Sequence, residues 1–284
     1  MRRDVKNTIA YIVGSPALKI ATMGGGCISD VYRVELVSGE TVVAKVGDVG
    51  SGLELEGFML SYLAENSELP VPDVLHTSAE LLLMSYLPGG GGLNPSAQEQ
   101  AADLVAALHG VTQADFGFER DTVIGGLHQP NPVSRDWVTF FRDQRLLYMG
   151  TEAVRAGRLP GRVMHRIDTL AARLGDWIGS PKRASLIHGD MWTGNILSSG
   201  SDIIGFVDPA IYYADPEVEL AFSTLFGTFS DAFFSRYNEH RPLRPGFFEE
   251  RRDLYNLYPL LVHVRLFGGG YLNSVDRTLM QFGC

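Results

Sequence analysis

The stretch LIHGDMWTGNIL, residues 186–197, sets His188, Asp190 and Asn195 between two apolar pairs. A second apolar run, residues 203–207, then delivers Asp208. Moving a γ-phosphoryl group asks little covalent chemistry of a protein. It needs a carboxylate to orient the attacking hydroxyl and take its proton, and oxygen ligands for Mg2+. Asp190 supplies the first, as the catalytic base, and Asn195 and Asp208 supply the second. The order H-x-D-x-x-x-x-N, strand, Asp is that of a kinase-type catalytic core. Asx residues also form ordinary turn hydrogen bonds, so the assignment leans on the joint pattern. For His188, two roles stay open at this point: bonding the loop backbone, or taking part in the chemistry.

Upstream, the chain reads as a small sheet with one helix. Residues 18–23, 31–37 and 41–46 alternate like strands, with a turn at Ser38-Gly39-Glu40. Residues 53–65 read as a helix, and residues 81–87 as a buried strand. Between the first two strands lies Gly24-Gly25-Gly26-Cys27-Ile28-Ser29. Glycines let a backbone approach phosphates closely. Lys45 ends the run Val42-Val43-Ala44-Lys45, where a kinase carries its phosphate-binding lysine. Glu56 shares a helical face with Met59, Leu60 and Leu63, so it points inward. A buried carboxylate is costly unless paired, and Lys45 is the obvious partner, with Glu54 next if the register differs. Met84, Ser85, Tyr86 and Leu87 are expected to border the adenine of ATP, mainly through backbone groups.

Pro88 and the run Gly89 to Gly92 link this part to a mainly helical remainder. Residues 101–108, 135–148, 162–178, 216–229 and 247–267 read as helices. The expected architecture is α+β: a two-lobed, protein-kinase-like fold. Its N-lobe, residues 1–88, binds nucleotide, and its C-lobe, residues 89–284, carries the catalytic loop and the substrate.

With those residues assembled, the chain resembles the fructosamine kinase (ketosamine-3-kinase) family over nearly its whole length. The resemblance rests on GGGCIS (24–29), FGF (116–118), DTVIGGLHQPN (121–131), DWVTFFRDQRL (136–146), HGDMWTGN (188–195), DPAIYYADPEVELA (208–221), LFGTF (225–229) and LYNLYPLLVH with LFGGGY. Aminoglycoside and choline kinases share the fold and the H-x-D loop, but not HGDMWTGN together with DPAIYY. The resemblance implies ATP- and Mg2+-dependent phosphorylation of a ketosamine 3-hydroxyl. The product is unstable and releases the amine, so the activity is deglycating. The sugar (ribulosamine, erythrulosamine or fructosamine) and the amine, free or protein-attached, stay open. Trp192 is able to stack on a sugar face or to pack the loop; the resemblance favours substrate contact. Trp137, Tyr212 and Tyr213 are weaker candidates and read as core.

The sequence departs from the pattern at three places. Trp192 stands where protein kinases carry a Lys two residues after the catalytic Asp, which speaks against a protein-hydroxyl substrate. Ala214 and Pro216 replace residues that are Gly and a polar residue in relatives. Ser85 replaces an acid common in the linker.

Bulk properties agree. The chain of 284 residues has 24 Lys and Arg against 33 Asp and Glu, a net charge of -9. Nucleic-acid binding is not expected from such a chain. No apolar run is long enough to span a bilayer, and MRRDVKNTIAYIVGS lacks the apolar core of a signal peptide. A cytoplasmic protein with no membrane partner is expected. Its two cysteines, Cys27 and Cys284, make no disulfide framework. Cys27, in the glycine-rich loop, is a candidate for oxidation, so a monomer or a redox-linked homodimer is expected. Two other functions stay open: a kinase for an aminoglycoside- or choline-like amino alcohol, and a non-catalytic pseudokinase. The complete set of Lys45, Glu56, Asp190, Asn195 and Asp208 argues against the second.

Overall fold

The computed structural model describes residues 3–24 and 29–284. Gly25, Gly26, Cys27 and Ile28 lie outside the described residues, and with them the phosphate contacts and thiol chemistry expected there. Helix α1 (Arg3–Val13) precedes β1 (Ala17–Met23), β2 (Asp30–Leu36) and β3 (Thr41–Val46). Helix α2 (Leu53–Asn66) then leads to β4 (Val74–Thr77) and β5 (Leu81–Ser85). The five strands form one antiparallel sheet in the order β1-β2-β3-β5-β4. Strand alternation explains its two dry faces. Val42 and Ala44 of β3 join Val34, Leu36, Leu83 and Ile9 of α1 on one side. Val43 joins Leu82, Met84 and α2 residues Leu53 and Leu60 on the other. Helix α1 is an element not expected from the sequence; Val5, Ile9, Ile12 and Val13 form its apolar face.

The glycine run 89–92 is shaped by contact with Leu197 and Ser198. The N–H groups of Gly90 and Gly91 both donate to Ser198 O, at 3.0 Å each. A Cβ on Gly89 would lie 2.7 Å from Leu197 Cβ, so this crossing requires glycine.

Helix α3 (Pro95–Leu108) opens with Asn94 as N-cap and Pro95 in the first turn. Short strand β6 (Thr112–Gln113) and the hairpin β7 (Thr122–Ile124) and β8 (Leu127–Gln129) follow. The helix expected over residues 135–148 is instead composite. Helix α4 (Trp137–Phe141) passes through a π-helical stretch, Arg142–Leu147, into α5 (Tyr148–Arg155). The widened turn carries Arg145, whose guanidinium is buried. It donates to Pro130 O and Asn131 Oδ1 and lies 3.9 Å from the centre of the Tyr212 ring.

Helix α6 (Gly161–Ala171) stops short of the expected residue 178, giving way to a 3-10 turn at Leu174–Asp176. Strand β9 (Ala184–Ile187), the hairpin β10 (Ile196–Ser199) and β11 (Asp202–Phe206), and β12 (Tyr212–Ala214) carry the catalytic segment. β9 pairs with both β12 and β6. Helix α7 (Glu217–Leu225) ends four residues before the expected 229, and Gly227, two residues on, has a φ of 63°. Helix α8 (Asp231–His240) was not anticipated. A π-helical turn, Phe247–Arg251, leads into α9 (Arg252–Phe267), and Gly268–Gly270 separate it from α10 (Tyr271–Gln281), also unanticipated. Trp137, Tyr212 and Tyr213 are core residues. No helix among the described residues is long and apolar enough to cross a membrane.

Candidate active site

Strand β9 ends at Ile187, and the chain turns sharply at Gly189, whose φ is 86°. A Cβ there would sit 2.1 Å from Ala210 O, so only glycine fits. Asp190 follows. Asn195, in a 3-10 turn, folds back on it: its Nδ2 donates to Asp190 O and Oδ2, both at 2.9 Å. The Asn195 C=O accepts from Val207 N–H at 3.0 Å, which ties the loop to the strand delivering Asp208. Asp208 is the one non-glycine residue with positive φ among those described, at 56°. Such a backbone costs free energy and is found mostly where a side chain must be aimed.

Across the cleft, Lys45 Nζ donates to Glu56 Oε1 at 2.6 Å and also contacts Asp208 Oδ1. Glu54 is exposed, so the partner is Glu56. Burial alone would lower the Lys45 pKa, but Glu56 and Asp208 more than offset it. The net shift is upward, and the ammonium stays charged. The Asp190 carboxyl is pushed up to about 7, first by burial and then by Asp208 and Glu219, with the Asn195 amide opposing.

Lys45, Glu56, Asp190, Asn195, Asp208 and Ser29 line a cavity of about 440 Å³. The rest of the lining includes an aromatic and apolar surface: Trp192, Phe222, Phe226, His263, Phe267 and Tyr271, with Ile124 and Leu266. Trp192 is 39% exposed and meets the Phe226 ring at 6.0 Å between centres. Gly194 makes room for the indole, since a Cβ there would approach it to 2.4 Å. Burial lowers the His263 pKa, so that imidazole is neutral.

Other expected contacts lie apart from this cavity. Met84 is buried under the sheet. The Ser85 hydroxyl accepts from Asp73 N–H at 2.9 Å. Tyr86 lies under the Arg33 guanidinium, 4.6 Å from its ring centre, and Leu87 packs at Gly205. None of these four, nor Gly24, lines the cavity.

His188 is fully buried, and burial lowers its pKa. It serves the loop: its N–H donates to both Glu219 oxygens, at 2.7 and 3.0 Å, and its Nδ1 accepts from Asp190 N–H at 3.4 Å. Glu219, on the first turns of α7, went unnoticed in the sequence. So did the buried network in which Glu217 takes two hydrogen bonds from Arg251, and Asp215 takes one each from Arg244 and Tyr255. The available signal was three acids within DPEVE, on a helix that is otherwise apolar.

A buried carboxylate on a tight loop, an amide and a second carboxylate beside it and a buried lysine–glutamate pair are the side chains expected of a protein-kinase-like phosphotransferase. The fructosamine kinase family profile matches residues 1–282. A probable ketoamine kinase of Synechocystis is 35% identical over 270 residues, covering 92% of this chain and 88% of that relative. A chloroplastic protein-ribulosamine 3-kinase of Arabidopsis thaliana is 31% identical, with 93% and 82% covered. A crystal structure described as a candidate fructosamine-3-kinase of Thermobifida fusca superposes with a TM-score of 0.89 at 29% identity, covering 99% of this chain and all of that one. An aminoglycoside phosphotransferase, at 15% identity and a TM-score of 0.70, shares the fold. The chain belongs to the fructosamine kinase family.

Proposed function

We propose that this protein transfers the γ-phosphoryl group of ATP to the 3-hydroxyl of a ketosamine, the adduct of a sugar and an amine. The observation that carries the reading is one cavity lined both by Asp190, Asn195, Asp208 and the Lys45–Glu56 pair and by an aromatic surface. In this reading residues 1–88 form the nucleotide lobe and residues 89–284 the catalytic and substrate lobe.

Asp190 accepts the proton of the attacking hydroxyl. Its raised pKa suits that task, because a base works best with a pKa near the working pH. Asn195 holds the carboxylate in place through Oδ2, leaving Oδ1 for the substrate. Lys45, fixed by Glu56, meets the phosphates. Asn195 and Asp208 fit Mg2+: both offer hard oxygen ligands on the cavity wall. No group of three or more His, Cys, Asp or Glu side chains among the described residues forms a metal cage by itself. Mg2+ characteristically takes one or two protein oxygens and completes its shell with phosphates and water. When bound, it neutralises charge developing on the phosphates. Trp192 offers an exposed ring face for the sugar. The rim it forms is open, as an amine attached to a protein requires.

The test is ADP release from purified protein with Mg-ATP and erythrulosyl-, ribulosyl- and fructosyl-lysine, with Asp190→Asn as control. Turnover on a ketosamine that vanishes in the variant is expected. Turnover only on another amino alcohol would overturn the substrate while leaving the phosphotransfer residues standing.

A further inference from the structure

The motif DTVIGGLHQPN has no part in the phosphotransfer machinery, yet the hairpin it forms walls the same cavity. Val123, Ile124, Gly125 and Gly126 all line it. Gly125 and Gly126 have φ of 52° and 73°, the two-residue turn with both central angles positive that suits twisted strands. The hairpin root is fastened by a buried polar network. Gln129 Nε2 donates to Thr122 Oγ1 at 2.9 Å and to Ala210 O at 3.1 Å, and Tyr258 OH donates to Gln129 Oε1 at 2.7 Å. Ala210 N–H in turn donates to His188 O at 2.7 Å. Two hydrogen-bond steps therefore tie the hairpin to the loop bearing Asp190.

Ile124 is the buried residue of this wall, at 4% exposure. Behind it lies a second, much smaller void of about 10 Å³, bordered by Gly189, Tyr212 and Tyr258. Ile124, Phe222 and Pro259 line both spaces, so the Ile124 side chain is part of the partition between them. Trp192, Phe226 and Phe267, which also line the cavity, are 38–48% exposed and form its open rim.

We infer that Ile124 is a specificity-determining residue: its side chain is the end wall against which the sugar tail beyond the reacting hydroxyl stops. The inference rests on the ketosamine reading. A substrate whose amine belongs to a protein must leave that amine at the open rim, so the sugar tail takes the closed end. The hairpin is rigidly mounted relative to Asp190, and the wall therefore measures chain length from the reacting hydroxyl.

The test is kcat/KM of wild type, Ile124→Val and Ile124→Ala with erythrulosyl-, ribulosyl- and fructosyl-lysine, together with the KM for ATP. One methylene in an apolar pocket discriminates by roughly 10-fold or more. The ratio of fructosyl to erythrulosyl kcat/KM should thus rise by about 10-fold in Ile124→Ala, and by less in Ile124→Val, at constant KM for ATP. Val keeps the fold where Ala weakens it. Parallel change on all three sugars, or none, in the folded variants would overturn the inference while the ketosamine reading stood. A wild type silent on all three sugars would overturn both.

Discussion

Replacing Asp190 by Asn should abolish turnover and make the protein more stable, and the size of the gain should depend on pH. Burial, with the Asp208 and Glu219 carboxylates, pushes the folded carboxyl up to about 7 from an ordinary 3.8. A group whose folded pKa is raised contributes stability below its unfolded pKa and loses that contribution as pH rises through the folded pKa. Ionised Asp190 is therefore a cost above pH 7 that a neutral amide does not carry. At 1.36 kcal/mol per pKa unit, the gap gives an upper bound of about 4 kcal/mol at pH 8 and about 2 kcal/mol at pH 5.5. For a chain of this size that is a rise in Tm of at most roughly 8 °C at pH 8, and about half as much at pH 5.5. Asn preserves an acceptor for the Asn195 amide, so no hydrogen bond is lost. The assay is thermal unfolding of both proteins at a fixed scan rate with EDTA and without nucleotide. The stability gap should widen from about pH 4 to 7 and then level off. A gap absent at every pH, or constant from pH 5 to 8, would refute the argument that burial and neighbouring carboxylates raise this group.

Two further substitutions separate chemistry from architecture. Lys45→Met removes the cation that Glu56 and Asp208 share. It should lower kcat/KM for ATP by at least about 100-fold, as the loss of one preorganised charge-stabilising donor does; unchanged ATP kinetics would remove Lys45 from the phosphate site. Gly189→Ala places a Cβ 2.1 Å from a backbone carbonyl at positive φ. It should cost at least about 3 kcal/mol by denaturant unfolding, whereas Gly14→Ala, also at positive φ but with nothing within 4 Å, should cost about 1 kcal/mol. Equal costs at the two positions would show that the crowding against Ala210 relaxes freely.

What could be read in the sequence follows from how local each signal is. Asp190, Asn195 and Asp208 sit within one loop and one strand, so their spacing alone brings them together. Lys45 and Glu56 were legible because an inward-facing carboxylate demands a cation, and the two side chains meet at 2.6 Å. Helix ends were less legible where tertiary contacts override propensity. The π-helical stretch at Arg142–Leu147 accompanies the burial of Arg145 against Asn131 and Tyr212, partners that no window around residue 145 contains. Glu219 shows the limit most clearly. Its carboxylate is anchored by the His188 backbone N–H, 31 residues away, and a backbone donor leaves no mark on residue identity. The same holds for the hairpin root: Gln129 is an unremarkable polar residue until the fold places it between Thr122, Ala210 and Tyr258. Residues that touch the reacting groups announce themselves by type and spacing. Those that hold the loop and the wall in register act through backbone groups or through side chains distant in sequence, and only the fold discloses them.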